Sequence, residues 1–115
     1  MNMTDVAHDL LLRELTPSVS CEADLTGGYA SDLLSDVLAH APAGGVLITL
    51  QVHLNVIAVA SHAGLQAVIF ASERTPEKDV IDRAAGEGLA LFVSSEDTFQ
   101  LAGRLYEAGL RGRTG

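Results

Sequence analysis

The sequence predicts an α/β domain in which a mostly parallel sheet is flanked by helices. Three short runs are almost entirely apolar, as strands buried on both faces of a sheet are: residues 46–50, 67–71 and 90–93. Segments with helical apolar spacing lie between and after them. Buried strands that alternate with helices imply parallel pairing through right-handed crossovers, and therefore a small three-layer domain.

The first third of the chain predicts two helices and little sheet. Residues 4–12 read as a short helix capped by Thr4, with a strand over 11–15 as the alternative. Residues 24–29 read as a loop with two glycines. A helix is then predicted to begin at Ala30 and end before Pro42, because apolar residues recur at helical spacing: Ala30, Leu33, Leu34, Val37, Leu38 and Ala41.

Three further helices follow the predicted buried strands. Asn55 is expected to cap a helix over 55–63, and Thr75 to cap a helix whose first residue is Pro76. Ser95 or Asp97 is expected to cap the last helix. The buried face of that last helix is predicted to consist of four residues: Phe99, Ala102, Leu105 and Tyr106.

Composition and charge limit the class of protein. A chain of 115 residues, 48% of them apolar, is expected to form one domain over residues 1–115, with 110–115 a flexible tail. The formal net charge of −8 argues against nucleic acid and anionic membranes as partners. The lone cysteine, Cys21, and the absence of a basic signal-peptide start favour the cytoplasm.

The region between Val37 and Ser72 contains no Asp, Glu, Lys or Arg. Prolines, glycines and polar side chains interrupt it too often for a membrane-spanning helix, which needs about 20 apolar residues in succession. We therefore expect it to form the buried centre of the domain. A subunit interface is a further role that such an uncharged region can have.

Ligands of parallel sheets bind beyond the carboxyl ends of the strands, so the loops that follow the predicted strands are candidate sites. Three polar residues, Gln51, His53 and Asn55, follow the first buried strand, and Ser95 and Thr98 follow the last. They form either a ligand-facing cluster or a network that caps helices and loops.

The segment Thr26-Gly27-Gly28-Tyr29 is a second candidate, because glycines before a helix can hold an anion. The other interpretation is a simple structural turn, in which glycine supplies a positive φ angle at little cost. The sequence contains neither G-x-x-x-x-G-K-[ST] nor G-x-G-x-x-G, and Asp24 and Asp32 would repel a phosphate there.

The sequence offers no pattern typical of catalysis or metal binding. No two of its four histidines are spaced i, i+4, Cys21 has no cysteine partner, and no G-x-S-x-G elbow is present. We therefore expect no catalytic residue, no metal and no cofactor.

The segment Asp24-Leu25-Thr26-Gly27-Gly28 resembles the motif that names the DRTGG domain. Residues 29–38, 49–60 and 97–102 resemble later blocks of stand-alone members, so the resemblance covers about 24–109. It implies a fold similar to the N-terminal domain of HPr kinase/phosphorylase. Two departures from the family pattern, Leu25 in place of Arg and the segment 71–74 in place of a glycine-richer turn, weaken a phosphate-binding role.

The resemblance also implies a regulatory role. DRTGG domains accompany CBS domains, help regulated pyrophosphatases to dimerise, and in stand-alone form are similar to proteins of anaerobic redox and hydrogenase gene sets. We therefore expect a non-catalytic regulatory or adaptor domain that forms a homodimer and docks on a partner protein. The alternative is a sensor of a nucleotide-like small molecule that binds at loops 27–29, 51–55 and 94–98.

Overall fold

The computed structural model describes residues 1–112, which form five helices and five strands. The helices are α1 (Met3–Asp9), α2 (Leu34–His40), α3 (Leu54–His62), α4 (Lys78–Gly86) and α5 (Thr98–Glu107). The strands are β1 (Arg13–Glu14), β2 (Gly28–Ala30), β3 (Val46–Thr49), β4 (Ala67–Phe70) and β5 (Ala90–Val93).

The strands form one sheet in the order β1-β5-β4-β3-β2. Strands β2 to β5 are parallel, and only β1 runs antiparallel, against β5. The predicted mostly parallel sheet flanked by helices is confirmed. Every residue of β3, β4 and β5 is buried, as their unbroken apolar runs predicted.

Alternating strand residues pack into two separate cores. Ile48, Ile69 and Phe92 face α1 and α5, whereas Leu47, Val68 and Leu91 face α2, α3 and α4. The uncharged region 37–72 contains β3, α3 and β4, so its expected place at the centre of the domain is confirmed. No helix within residues 1–112 is long and apolar enough to cross a membrane.

The predicted helix start at Ala30 is wrong. Gly28–Ala30 pairs with β3 as an edge strand, and α2 begins only at Leu34. The three residues of β2 are too few to show a strand pattern, and their conformation depends on pairing with β3.

Three predicted helix caps are also wrong. α1 is capped by Asn2, which accepts a hydrogen bond from Asp5 N, and not by Thr4. The N-cap of α3 is His53, two residues before Asn55, and that of α4 is Glu77, two residues after Thr75. Neither His53 nor Glu77 makes a side-chain cap bond, so no capping residue marked these starts in the sequence.

The last helix exposes part of the face that was predicted to be buried. Leu101 and Leu105 are buried, but Phe99 is 87% exposed and Tyr106 is 59% exposed. Leu110 is buried and Gly28 N donates to Arg111 O, so Leu110 and Arg111 pack against the domain, while the flexibility expected of 110–115 stays a prediction. Residues 113–115 lie outside the described part of the chain.

Candidate functional site: the carboxyl edge of the sheet and the pocket beside the edge strand

The carboxyl edge is the sheet edge at which the parallel strands end, at Ala30, Thr49, Phe70 and Val93. Loops 50–53, 71–74 and 94–97 all leave from this edge, as the sequence indicated. Five of the predicted site residues therefore lie at it, within a few positions of a strand end: Gln51, His53, Asn55, Ser95 and Thr98.

Asp32, which no sequence motif marks as a site residue, connects β2 to the loop after β3 at this edge. Its Oδ1 accepts hydrogen bonds from Thr49 Oγ1 at 3.0 Å and from Leu50 N at 2.7 Å. Gln51 Nε2 donates to Asp32 O at 3.1 Å. The Gln51 side chain therefore takes part in the hydrogen bonds within this loop. His53 and Asn55 are exposed at the start of α3.

The loops that follow β4 and β5 are tied together by backbone bonds. Ser72 N donates to Glu96 O, and Glu73 N donates to Ser94 O, both at 2.8 Å. Ser94 is buried and its hydroxyl accepts from Glu96 N, while Asp97 caps α5 through Gln100 N. The polar residues here serve mainly to hold the loops and cap the helix.

Thr26, Gly27 and Gly28 lie at the opposite edge of the sheet, where the parallel strands begin. Gly28 pairs with Val46, the first residue of β3, and Thr26 Oγ1 donates to Ala43 O at 2.6 Å. A Cβ atom on Gly27 would lie 2.9 Å from Arg111 O. The predicted grouping of this segment with loops 51–55 and 94–98 is therefore wrong, because Gly28 begins a strand parallel to β3 and the segment does not lead directly into a helix.

Tyr29 lies between the two edges, on the face of the sheet that α2 covers. Its hydroxyl donates to Asp36 Oδ2 at 2.8 Å. This bond, helped by Ser31, holds the pKa of the Asp36 carboxyl below its ordinary value. Tyr29 therefore joins the edge strand to α2.

The carboxyl edge also exposes large apolar side chains. Leu33, Leu54 and Phe99 each lie at the start of a helix that follows a strand, and their exposed fractions are 65%, 41% and 87%. Leu11 is 86% exposed and precedes β1, whose first residue pairs with Val93 at the same edge. Four of the seven large hydrophobic side chains exposed within residues 1–112 thus belong to this edge.

Backbone strain is found at the same edge. Leu11, Ser72 and Glu73 have φ angles of 55°, 57° and 59°, in the left-handed region that costs L-residues about 1–2 kcal/mol each. They are the non-glycine residues with positive φ in the described chain. Strain of this kind often persists where a side chain is needed in one position.

A pocket of about 180 Å³ lies beside the edge strand, on the face of the sheet that α5 covers. β2, Ile48, α5 and the end of the described chain form its walls. Arg111 stands at the pocket with its guanidinium carbon 3.8 Å from the centre of the Tyr106 ring. Of the predicted site residues, Gly28 and Tyr29 contribute to its lining.

No group of three or more His, Cys, Asp or Glu side chains within residues 1–112 has an arrangement that could hold a metal ion. Burial raises the pKa of the Cys21 thiol, with a smaller contribution from Glu14, and this disfavours the reactive thiolate.

Comparison with solved structures supports a DRTGG-like fold. The chain is similar to the crystal structure of the CBS and DRTGG domains of the regulatory region of Clostridium perfringens pyrophosphatase, complexed with its activator diadenosine tetraphosphate. The TM-score is 0.73 and the identity is 13%, over 95% of this chain and 47% of that one, so this chain spans about half of that neighbour. No protein-family model matches the sequence, and no curated protein is similar enough in sequence to count as a relative.

Proposed function

We propose that this domain is a non-catalytic regulatory module that forms a homodimer, and docks on a partner protein, through the carboxyl edge of its sheet. The observation that carries the proposal is the set of exposed apolar side chains along that edge: Leu11, Leu33, Leu54 and Phe99. Covering them with protein would remove apolar surface from water, which is the main favourable term in association.

The strained conformation of Leu11 supports a binding role for its side chain. Leu11 follows α1 in a left-handed conformation, a position where glycine or asparagine is normally found. A leucine here costs backbone energy and is 86% exposed, so it contributes little to the core. A partner that covers Leu11 would account for both features. Location in the cytoplasm, which the lone Cys21 favours, is part of the same proposal.

The proposal is tested by comparing two leucines of α2. Leu33 occupies the N-cap of α2 at the carboxyl edge, and Leu38 is 47% exposed in the body of the helix. Leu33→Ser provides a favourable N-cap residue, so the fold should keep or gain stability while the edge loses apolar area. Sedimentation velocity at micromolar concentration should show a dimer that Leu33→Ser and Phe99→Ser weaken and Leu38→Ser does not. A monomeric wild-type protein, or equal dimerisation by all variants, would refute self-association through this edge.

Sensing of a small molecule is a second candidate, favoured by the pocket beside β2. The similar pyrophosphatase region is complexed with a dinucleotide activator, but a pocket of about 180 Å³ favours a ligand smaller than a nucleotide for this chain. The loops first predicted for such a ligand do not form a single site, because Thr26 to Gly28 lie at the other edge of the sheet.

A further inference from the structure

We infer that the pocket between β2 and α5 binds a small organic anion that has one apolar ring or a short branched chain, and that Arg111 binds its charge. This inference is independent of protein docking, because the pocket lies beside the edge strand and not at the carboxyl edge of the sheet.

The pocket exists because the edge strand has very small residues on this face. Gly28 and Ala30 pair with Val46 and Ile48, so all four face α5. Gly28 has no side chain and Ala30 has only a methyl group. A space therefore remains below Ala102, Leu105 and Tyr106.

The size of the pocket limits its ligand to about one ring. A dry apolar cavity of about 150 Å³ holds benzene, whereas sites for drug-sized ligands start at about 300 Å³. At about 180 Å³ this pocket is just large enough for a single ring or a short branched chain. A complete mononucleotide is too large for it.

Arg111 determines the preferred charge of the ligand. Its Nη1 donates to Tyr106 O at 2.8 Å and to Leu110 O at 3.0 Å, and its guanidinium stacks on the Tyr106 ring. These contacts hold the guanidinium beside the pocket. Within residues 1–112, Nε and Nη2 of Arg111 donate to no protein acceptor, so they are available to a carboxylate.

The lining of this pocket, as far as the chain is described, contains no Asp or Glu. Three other surface pockets of residues 1–112 each contain at least one carboxylate: Asp5 and Asp9 in one, Glu77 and Asp79 in the second, Asp9 and Glu107 in the third. In a chain with a net charge of −8, a pocket with an arginine and no acid should favour an anion.

The experiment titrates the full-length protein with three probes, followed by amide resonances in two-dimensional NMR. Benzoate supplies one ring and one carboxylate, benzamide is its neutral counterpart, and adenosine monophosphate represents the larger nucleotide class. Benzoate should shift resonances of the pocket lining and bind about tenfold more tightly than benzamide, because the hydrogen bonds to Arg111 are charge-assisted. Adenosine monophosphate should leave these resonances in place.

Two variants and a control separate charge from shape. Arg111→Gln should weaken benzoate binding about tenfold and leave benzamide unchanged. Ala102→Leu should fill the space and abolish both. Arg74→Gln, an exposed arginine after β4, should have no effect. The inference is overturned by equal affinities for benzoate and benzamide, by benzoate binding that survives Arg111→Gln, by tighter binding of adenosine monophosphate, or by the absence of any shift.

Discussion

Tyr29 shows how a single side chain can connect an edge strand to a helix. Its hydroxyl crosses from β2 to α2 and donates to Asp36 at 2.8 Å. Because Tyr29 follows the two glycines, the sequence predicts that it lies in a loop, either a binding loop or a structural turn. The structure places it within a strand, where its hydroxyl binds a carboxylate of the same chain.

Tyr29→Phe should raise the pKa of Asp36 toward its ordinary value, because the hydrogen bond from Tyr29 is the largest cause of the lowered pKa. A carboxyl whose pKa is lower in the folded state stabilises the fold above its unfolded pKa, and this contribution is lost as pH falls through the folded pKa. The variant should therefore lose less stability on acidification through that range. A carboxyl NMR titration measures the pKa of Asp36 directly.

Tyr106→Phe is the matched control, since it removes a tyrosine hydroxyl from α5 and leaves the bond to Asp36 intact. An Asp36 pKa that stays low in Tyr29→Phe would show that Ser31 and His40, the other groups that lower it, are sufficient.

At the scale of elements, the sequence predicted the buried strands well and the helix starts poorly. β3, β4 and β5 are apolar at almost every position, because both of their faces are covered. Helix starts depend on local capping bonds, and His53 and Glu77 make none. The edge strand β2 was missed because its conformation depends on β3, which is distant in sequence.

The candidate site could be predicted only in part, because some of it depends on strand pairing that the sequence does not show. The carboxyl edge follows from the parallel topology, so the loops after the buried strands were placed correctly. The position of Thr26 to Gly28 depends on whether a strand or a helix comes next, and this was not evident from the sequence. The pocket beside β2 depends on the pairing of Gly28 and Ala30 with β3, so the sequence alone did not reveal it.

Gly27 provides a test of whether the glycine segment serves close packing instead of ligand binding. A Cβ atom there would lie 2.9 Å from a backbone oxygen, Arg111 O, which cannot move aside as a flexible side chain can. Gly27→Ala should therefore lower the free energy of unfolding by about 1–3 kcal/mol, the range for an overpacked interior. Chemical denaturation followed by circular dichroism measures the loss.

Gly103→Ala is the control, because no atom lies within 4 Å of its added Cβ and the residue is in the interior of α5. It should raise the free energy of unfolding by about 0.5–1 kcal/mol, since alanine is the better helix former. If Gly27→Ala were as stable as wild type, Gly27 would not be needed for close packing. A binding role for the segment 26–29 would then regain support.

At the scale of the whole molecule, net charge opposes the proposed homodimer. Each chain has a formal charge of −8, so two copies repel each other before the apolar side chains at the carboxyl edge make contact. Salt screens this repulsion, because the Debye length falls from about 30 Å at 0.01 M to about 8 Å at 0.15 M. Apolar contacts depend far less on salt over that range.

Dimerisation should therefore become stronger as sodium chloride is raised from about 0.01 M to 0.15 M, a range over which the Debye length shortens nearly fourfold. Sedimentation equilibrium at several salt concentrations measures the dissociation constant. Association driven by ion pairs between copies would show the opposite trend, a dimer that dissociates as salt is added. A dimer that strengthens with salt in the wild type but not in Leu33→Ser would assign both the attraction and its location to the apolar side chains of the carboxyl edge.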